Sequence, residues 1–234
     1  MELTPKAVIF DLDGCLVDSE LLCLAGITEE IQAAGMTDVT LDVIRSRFLG
    51  VSIRVICDFV ADGTGRPCPP DFIERSERRI FLAYRKNLQR IDGVQGMLEV
   101  LQAKDIKFAI ATGGSIARMK ETLAISDLAQ YFENRAFSAD QVAQGKPAPD
   151  LFLLAAERLG VAPKDCVVME DSPHGVVGAV AARMRTVGFV GGSHLADRRD
   201  SHRALLLSKG AEAVTTTIAE ATEALLTPKT ATTG

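Results

Sequence analysis

The sequence has 234 residues, of which 47% are hydrophobic and 24% are charged, and it carries a net charge of −5 at pH 7. This length allows one large domain or two unequal ones, and the hydrophobic fraction is ordinary for a globular protein with a real core. The negative balance argues against binding to nucleic acid or to an anionic membrane, because both favour basic patches.

The first predicted element is a short buried strand, "KAVIF", at residues 6–10. Four helical segments follow between residues 20 and 88, and no strand pattern lies among them. We therefore expect a small helical domain inserted after the first strand of an α/β core. The predicted boundaries are 19–89 for the insert and 1–18 with 90–234 for the core, with a disordered tail at about 227–234.

After residue 90 the pattern alternates between strands and helices. Helical patterns lie at 115–125, 150–160 and 172–184, the last with Ser172 as N-cap and Pro173 at its first position. Continuous apolar runs indicate strands covered on both faces, and they occur at "KFAIAT" (107–112), "CVVME" (166–170), "TVGFV" (186–190) and "AVTTTI" (213–218). This order predicts an α/β fold with a doubly wound, mainly parallel Rossmann-like sheet.

Polar residues follow several of these strands at the point where each ends. Taken singly, each has an ordinary structural explanation as a turn, a helix cap or a solvated lysine. In an open α/β sheet, however, the carboxyl ends of the strands meet at one crevice, so we expect these residues to converge. They are Asp11 and Asp13 after the first strand, Thr112 and Gly113 at the second, Lys146 in the "QGKPAPD" loop, and Glu170 and Asp171 at the third.

The chemistry of this set points to a phosphate ester. Asp11, Asp13 and Asp171 would make an oxygen-rich, negatively charged corner of the kind that Mg²⁺ occupies together with a substrate phosphate. The Thr112 hydroxyl, the Gly113 amide and the Lys146 ammonium would supply donors for phosphoryl oxygens.

Four motifs carry a resemblance to a known family. "DLDGCLVDSE", "ATGGS", "GKPAPD" and "EDSPHGVVGA" resemble, in order and spacing, the four motifs of the haloacid dehalogenase superfamily of phosphohydrolases. The resemblance is to the subgroup with a helical cap after the first motif, which includes β-phosphoglucomutase and phosphoglycolate phosphatase. It covers the chain except the tail, and Cys15 departs from the threonine that is usual in the first motif.

The resemblance implies a mechanism with an aspartyl-phosphate intermediate. Asp11 would be the nucleophile, and Asp13 would protonate the leaving group and later deprotonate the hydrolytic water. Mg²⁺ would be held by Asp11, the backbone carbonyl of Asp13 and Asp171, with Glu170 assisting through water. Asp18 would be structural.

The expected function is hydrolysis of a small phosphorylated sugar, polyol or sugar acid in a polar pocket. The cap would contribute a specificity loop to that pocket and would close over it to exclude water. The candidate residues of the cap are Glu20 at the hinge, with Arg47, Gly50, Ser52 and Arg54 in the loop.

The main alternative is a sugar phosphate mutase similar to β-phosphoglucomutase. Those mutases carry a cap lysine and arginine where this chain has Leu49 and Ile53, although Arg54 is adjacent. The loss of cap cations favours transfer to water, hence a phosphatase. A receiver-like phospho-accepting domain is disfavoured because such domains are much shorter and have no inserted cap.

The remaining predictions concern surroundings and partners. Five cysteines without paired spacing, and no apolar run near the ~20 residues of a membrane span, favour a cytoplasmic protein. A small phosphorylated metabolite is the expected partner of a monomer or homodimer. His194 and His202 suggest no ligand set, and His174 is assigned no role.

Overall fold

A computed structural model describes residues 4–48 and 53–228, and a six-stranded sheet organises them. Each strand forms where the sequence is short and continuously apolar, because both faces of the sheet are covered. The strands are β1 (Ala7–Phe10), β2 (Lys107–Thr112), β3 (Ala136–Ser138), β4 (Cys166–Glu170), β5 (Arg185–Phe189) and β6 (Ala213–Thr215).

Ten α-helices connect the strands within the described residues. Ser172 accepts a hydrogen bond from the Gly175 amide at 3.0 Å and Pro173 begins the helix after β4, which confirms the predicted cap. No described helix is both long and apolar enough to cross a membrane. The helices are α1 (Glu20–Ala33), α2 (Leu41–Phe48), α3 (Ile53–Thr64), α4 (Phe72–Asn87), α5 (Val94–Ala103), α6 (Ile116–Ile125), α7 (Asp150–Leu159), α8 (Pro173–Ala181), α9 (Arg199–Ser208) and α10 (Ile218–Leu226).

The sheet has the order β3-β2-β1-β4-β5-β6, and every neighbouring pair is parallel. This order confirms the predicted doubly wound α/β class. The direction of winding reverses between β1 and β4, and in such sheets ligands bind beyond the carboxyl ends of the strands at this reversal. The last predicted strand segment, 213–218, forms a strand only over its first three residues, as β6.

The two faces of β1 belong to two different parts of the core. Ala7 and Ile9 pack in a cluster with residues of α7 and α8, whereas Val8 and Phe10 pack in a larger cluster on the opposite face. All four side chains are fully buried. Because successive side chains of a strand point to opposite faces, a strand covered by helices on both sides has to be apolar throughout.

Helices α1 to α4, here called the helical insert, occupy the chain between β1 and α5. The chain leaves and re-enters the sheet region side by side: the Asp18 amide donates to the Gln89 carbonyl at 2.9 Å, and the Ile91 amide donates to the Leu16 carbonyl at 3.0 Å. These two hydrogen bonds hold the two ends of the insert next to each other. Of the predicted tail, residues 229–234 lie outside the described part of the chain.

Candidate active site

The polar residues predicted from the strand ends line one cavity of about 810 Å³. β1, β2 and β4 end at the same edge of the sheet, and the loop before α7 reaches this edge from the side. The residues that line the cavity from the sheet side include Asp11, Asp13, Thr112, Gly113, Lys146, Glu170 and Asp171.

The helical insert forms the opposite wall. Of the predicted specificity residues, Glu20 and Arg54 line the cavity. Arg47 is not among its lining residues, and its guanidinium instead lies over the rings of Phe48 and Phe59, 5.5 and 4.7 Å from their centroids. Gly50 and Ser52 lie outside the described residues. Burial raises the pKa of Glu20 to about 7, with the charges of Asp13 and Asp171 adding to the shift, so this carboxyl titrates near neutral pH.

The insert wall is more apolar than the expected polar pocket. Its apolar side chains line the same cavity as the sheet-side carboxylates, and its polar contribution includes Glu20, Arg54 and Glu77. The apolar lining residues of the insert include Leu24, Ile27, Phe48, Ile53, Ile56, Ile73 and Ile80. A substrate with an apolar or planar portion can therefore contact this wall.

Lys146 joins two of the predicted carboxylates. Its side chain is 6% exposed, and its ammonium contacts Asp11 Oδ1 and donates to Glu170 Oε2 at 2.7 Å. Burial alone would lower the pKa of Lys146, but the charges of Asp11 and Glu170 outweigh it and raise the pKa. The ammonium is therefore permanently charged. Glu170 Oε1 accepts from the Ser172 amide at 3.1 Å and from its hydroxyl at 2.9 Å, so both oxygens of Glu170 are engaged.

Asp13 is held by donors from several elements. The Ser19 hydroxyl donates to Asp13 Oδ1 at 2.6 Å, while the Thr112 hydroxyl and Arg118 Nη2 each donate to Oδ2 at 3.3 Å. Arg118 also donates to Cys23 Sγ at 3.2 Å and lines the cavity. The carboxylate of Asp13 is therefore fixed at the junction between the sheet edge and the first residues of the insert.

Asp11 and Asp171 offer a site for a cation. One oxygen of each carboxylate and the Cys15 sulfur lie within 4.8 Å of one another, and all three residues are buried. Burial raises the pKa of Asp11, an effect that Lys146 opposes and that Glu170, Asp171 and Asp13 reinforce. Only Lys146 and Arg118 bring permanent positive charge to the four buried carboxylates of the described site, Asp11, Asp13, Glu170 and Asp171. This excess of buried negative charge on hard oxygen ligands fits a divalent cation.

Gly14 keeps the loop after β1 close to Asp171. Its φ of +79° lies in the left-handed region, and a Cβ atom there would overlap the Asp171 carboxylate. We predict that Gly14→Ala lowers the free energy of unfolding by about 1–3 kcal/mol through backbone strain, and by more through the overlap. Urea denaturation followed by circular dichroism measures this change.

Gly65→Ala is the matched control for Gly14→Ala. Gly65 has a φ of +65°, and no heavy atom lies within 4 Å of a Cβ built on it, so this variant carries the backbone strain without the overlap. If Gly14→Ala and Gly65→Ala lowered the free energy of unfolding equally, crowding against Asp171 would make no contribution to the loss of stability.

Sequence reasoning missed two charged or titratable side chains at the site, Arg118 and His194. Arg118 lies one turn after Ser115, the N-cap of α6, and its side chain turns back to the strand end. His194 follows β5, and its ring Nε2 lies 2.9 Å from Asp171 Oδ2. Examining the residues after β5 in the same way as those after β1 and β4 would have found His194.

The fold and the carboxylate-lined cavity are those of an α/β enzyme with a candidate active site at the carboxyl edge of a parallel sheet. The chain belongs to the haloacid dehalogenase-like hydrolase family, whose sequence model matches residues 8–189. This match confirms the resemblance found in the four motifs.

Named relatives point to phosphate esters. A probable pseudouridine-5'-phosphatase of Drosophila melanogaster is 31% identical over 87% of this chain and 89% of its own length. A phosphorylated carbohydrates phosphatase of Thermotoga maritima is 34% identical over 78% of this chain and 83% of its own. A Thermotoga maritima crystal structure, provisionally described as a beta-phosphoglucomutase, is 31% identical, covers 94% of this chain and 96% of its own, and superimposes with a TM-score of 0.68. The family and its named phosphatases support phosphatase activity for this chain.

Proposed function

We propose that this protein is a Mg²⁺-dependent phosphomonoester hydrolase that acts on a small phosphorylated sugar, polyol or sugar acid through an aspartyl-phosphate on Asp11. The observation that carries the proposal is the meeting of Asp11, Asp13, Thr112 and Lys146 in one cavity at the sheet edge. The relatives that act on phosphorylated carbohydrates support the same substrate class. We also propose the boundaries 19–89 for the cap and 1–18 with 90–234 for the core.

The proposed roles are those that the family resemblance implies for the matching residues. Asp11 attacks phosphorus, and the bond to the leaving oxygen breaks as Asp13 delivers a proton to it. Asp13 then removes a proton from the water that attacks the aspartyl-phosphate, which releases inorganic phosphate and restores Asp11. Thr112, the Gly113 amide and Lys146 would hold the phosphoryl oxygens.

The cation would be held by Asp11, Asp171 and the backbone carbonyl of Asp13, with Glu170 in support. When bound, it would supply positive charge that offsets the repulsion between the carboxylates and the substrate phosphate.

The deciding experiment measures inorganic phosphate release from a panel of sugar, polyol and sugar-acid phosphates with Mg²⁺. We predict that a chelator abolishes release and that added Mg²⁺ restores it. Comparing phosphate release from ribose 5-phosphate with release from uridine 5'-monophosphate tests whether the apolar wall of the insert contacts a planar base. Release that persists in chelator would contradict the cation requirement, and no release from any substrate would contradict the phosphatase.

A sugar phosphate mutase is the second candidate. Arg54 lines the cavity and could hold a second phosphate, and the provisionally described beta-phosphoglucomutase shares the fold. The panel therefore includes β-glucose 1-phosphate. Its conversion to glucose 6-phosphate without phosphate release would identify the mutase and overturn the hydrolase.

A further inference from the structure

His194 occupies a buried position at the carboxyl edge of the sheet. It lies in a short turn, Ser193–Leu195, that follows β5, and the side chain is fully buried. Its Nε2 lies 2.9 Å from Asp171 Oδ2. The ring N–H does not point along the line to this oxygen, and within the described chain neither ring nitrogen has a well-aligned hydrogen bond. A buried polar ring of this kind needs a physical explanation.

The surrounding backbone is shaped to admit the ring. A Cβ atom on Gly14 would lie 2.8 Å from His194 Cε1, and one on Gly192 would lie 2.6 Å from it. Asp18 holds the turn in place, because its Oδ1 accepts from the Ser193 amide at 3.0 Å and from the Ser193 hydroxyl at 2.8 Å. The ring is thus wedged between the loop after β1 and the loop after β5.

Two histidines contact Asp171, one at its side-chain carboxylate and one at its backbone carbonyl. His194 lies against Oδ2 of the carboxylate, and His202 Nε2 lies 2.7 Å from the Asp171 backbone carbonyl. The contact with Oδ2 leaves the other carboxylate oxygen, Oδ1, for a cation. Partners that orient a carboxylate ligand in this way commonly change metal affinity by about 10–100-fold when removed.

We propose that His194 is a positioning residue of the cation site, which fixes the Asp171 carboxylate so that Oδ1 faces the space beside Asp11. The inference rests on the cation of the proposed function but not on the identity of the substrate. His194 is not among the residues that line the cavity.

The test is a binding measurement on the chelator-treated full chain. Free Mn²⁺ is read by electron paramagnetic resonance during titration, and the Mg²⁺ affinity follows from competition. His194→Leu fills much of the ring volume but has no hydrogen-bond donor. We expect this substitution to lower the affinity for Mn²⁺ and for Mg²⁺ by about 10–100-fold. His194→Gln keeps an N–H near the position of Nε2, so its affinity should lie between that of His194→Leu and that of the wild type.

Two further readouts separate positioning from a merely structural role. Saturating Mg²⁺ should restore kcat in His194→Leu, while the Mg²⁺ concentration for half-maximal rate rises by the same factor as the dissociation constant. The exposed His174, changed to Gln, is the control for loss of an imidazole. If a folded His194→Leu chain binds Mn²⁺ with the wild-type affinity, the proposal is overturned. If His194→Leu does not fold, His194→Ala is measured instead, and wild-type affinity in that variant overturns the proposal.

The binding assay also distinguishes this proposal from the proposed function. A wild-type chain that binds no Mn²⁺ overturns the cation site and the role of His194 together. A wild-type chain that binds Mn²⁺ but releases no phosphate from any substrate overturns the hydrolase, while the affinities of the His194 variants still decide the positioning role.

Discussion

Asp11→Asn should lower the rate of phosphate release by about 10⁴-fold or more, the scale on which loss of a catalytic nucleophile acts. An amide is a poor nucleophile toward phosphorus, whereas the carboxylate that contacts Lys146 is held ready at the end of β1. The substitution keeps the volume of the side chain, so the variant should remain folded. Phosphate release is measured on the best substrate of the panel, and circular dichroism checks the fold.

Asp92→Asn is the matched control. Asp92 is a solvent-exposed aspartate of the α/β part of the chain, and it does not line the cavity. It should release phosphate at the wild-type rate. Quenching the wild-type reaction during turnover and analysing its peptides by mass should find a phosphoryl group on the peptide that contains Asp11. An Asp11→Asn rate within about tenfold of the wild type, corresponding to about 1.4 kcal/mol, would exclude Asp11 as the nucleophile.

The sheet-side residues could be predicted because strand ends in a parallel sheet share one edge. Asp11, Thr112 and Glu170 lie far apart in sequence, yet each belongs to a continuous apolar run or directly follows one. The strand that this run forms places the residue at the carboxyl edge of the sheet. The backbone therefore decides their convergence, with little help from side-chain detail. The short β3 (Ala136–Ser138) was missed, because three residues carry too little pattern to identify a strand.

Residues of the insert and of the loops could not be placed in this way. Arg47 stacks on two aromatic rings rather than lining the cavity, and the spacing of residues along a helix does not show which neighbours a long side chain meets. His194 fits where it does because Gly14, distant in sequence, and Gly192, two residues before it, leave room for its ring. Such contacts are tertiary, so a single sequence read by motif can place a residue such as His194 near the sheet edge but gives no signal for the side chains that it contacts.

Lys146→Met should reduce both stability and activity, because it removes a buried ammonium shared by two carboxylates. Without it, Asp11 and Glu170 face each other in a buried site with no cation between them. Removing one partner of a buried ion pair typically lowers the free energy of unfolding by about 3–5 kcal/mol. Loss of the donor proposed for the phosphoryl oxygens should lower kcat by about 10²–10³-fold.

The two effects of Lys146→Met can be separated by matched variants. Lys164→Met changes an exposed lysine in the loop before β4. It should change the free energy of unfolding by no more than about 0.5 kcal/mol. Lys146→Arg keeps the charge but replaces a compact ammonium with a planar, larger group, so it should recover more of the stability than of kcat. Urea unfolding and phosphate release at saturating Mg²⁺ measure the two quantities. If Lys146→Met were as stable as Lys164→Met, the buried carboxylates would not depend on this ammonium, and a bound cation would have to balance Asp11 and Glu170 alone.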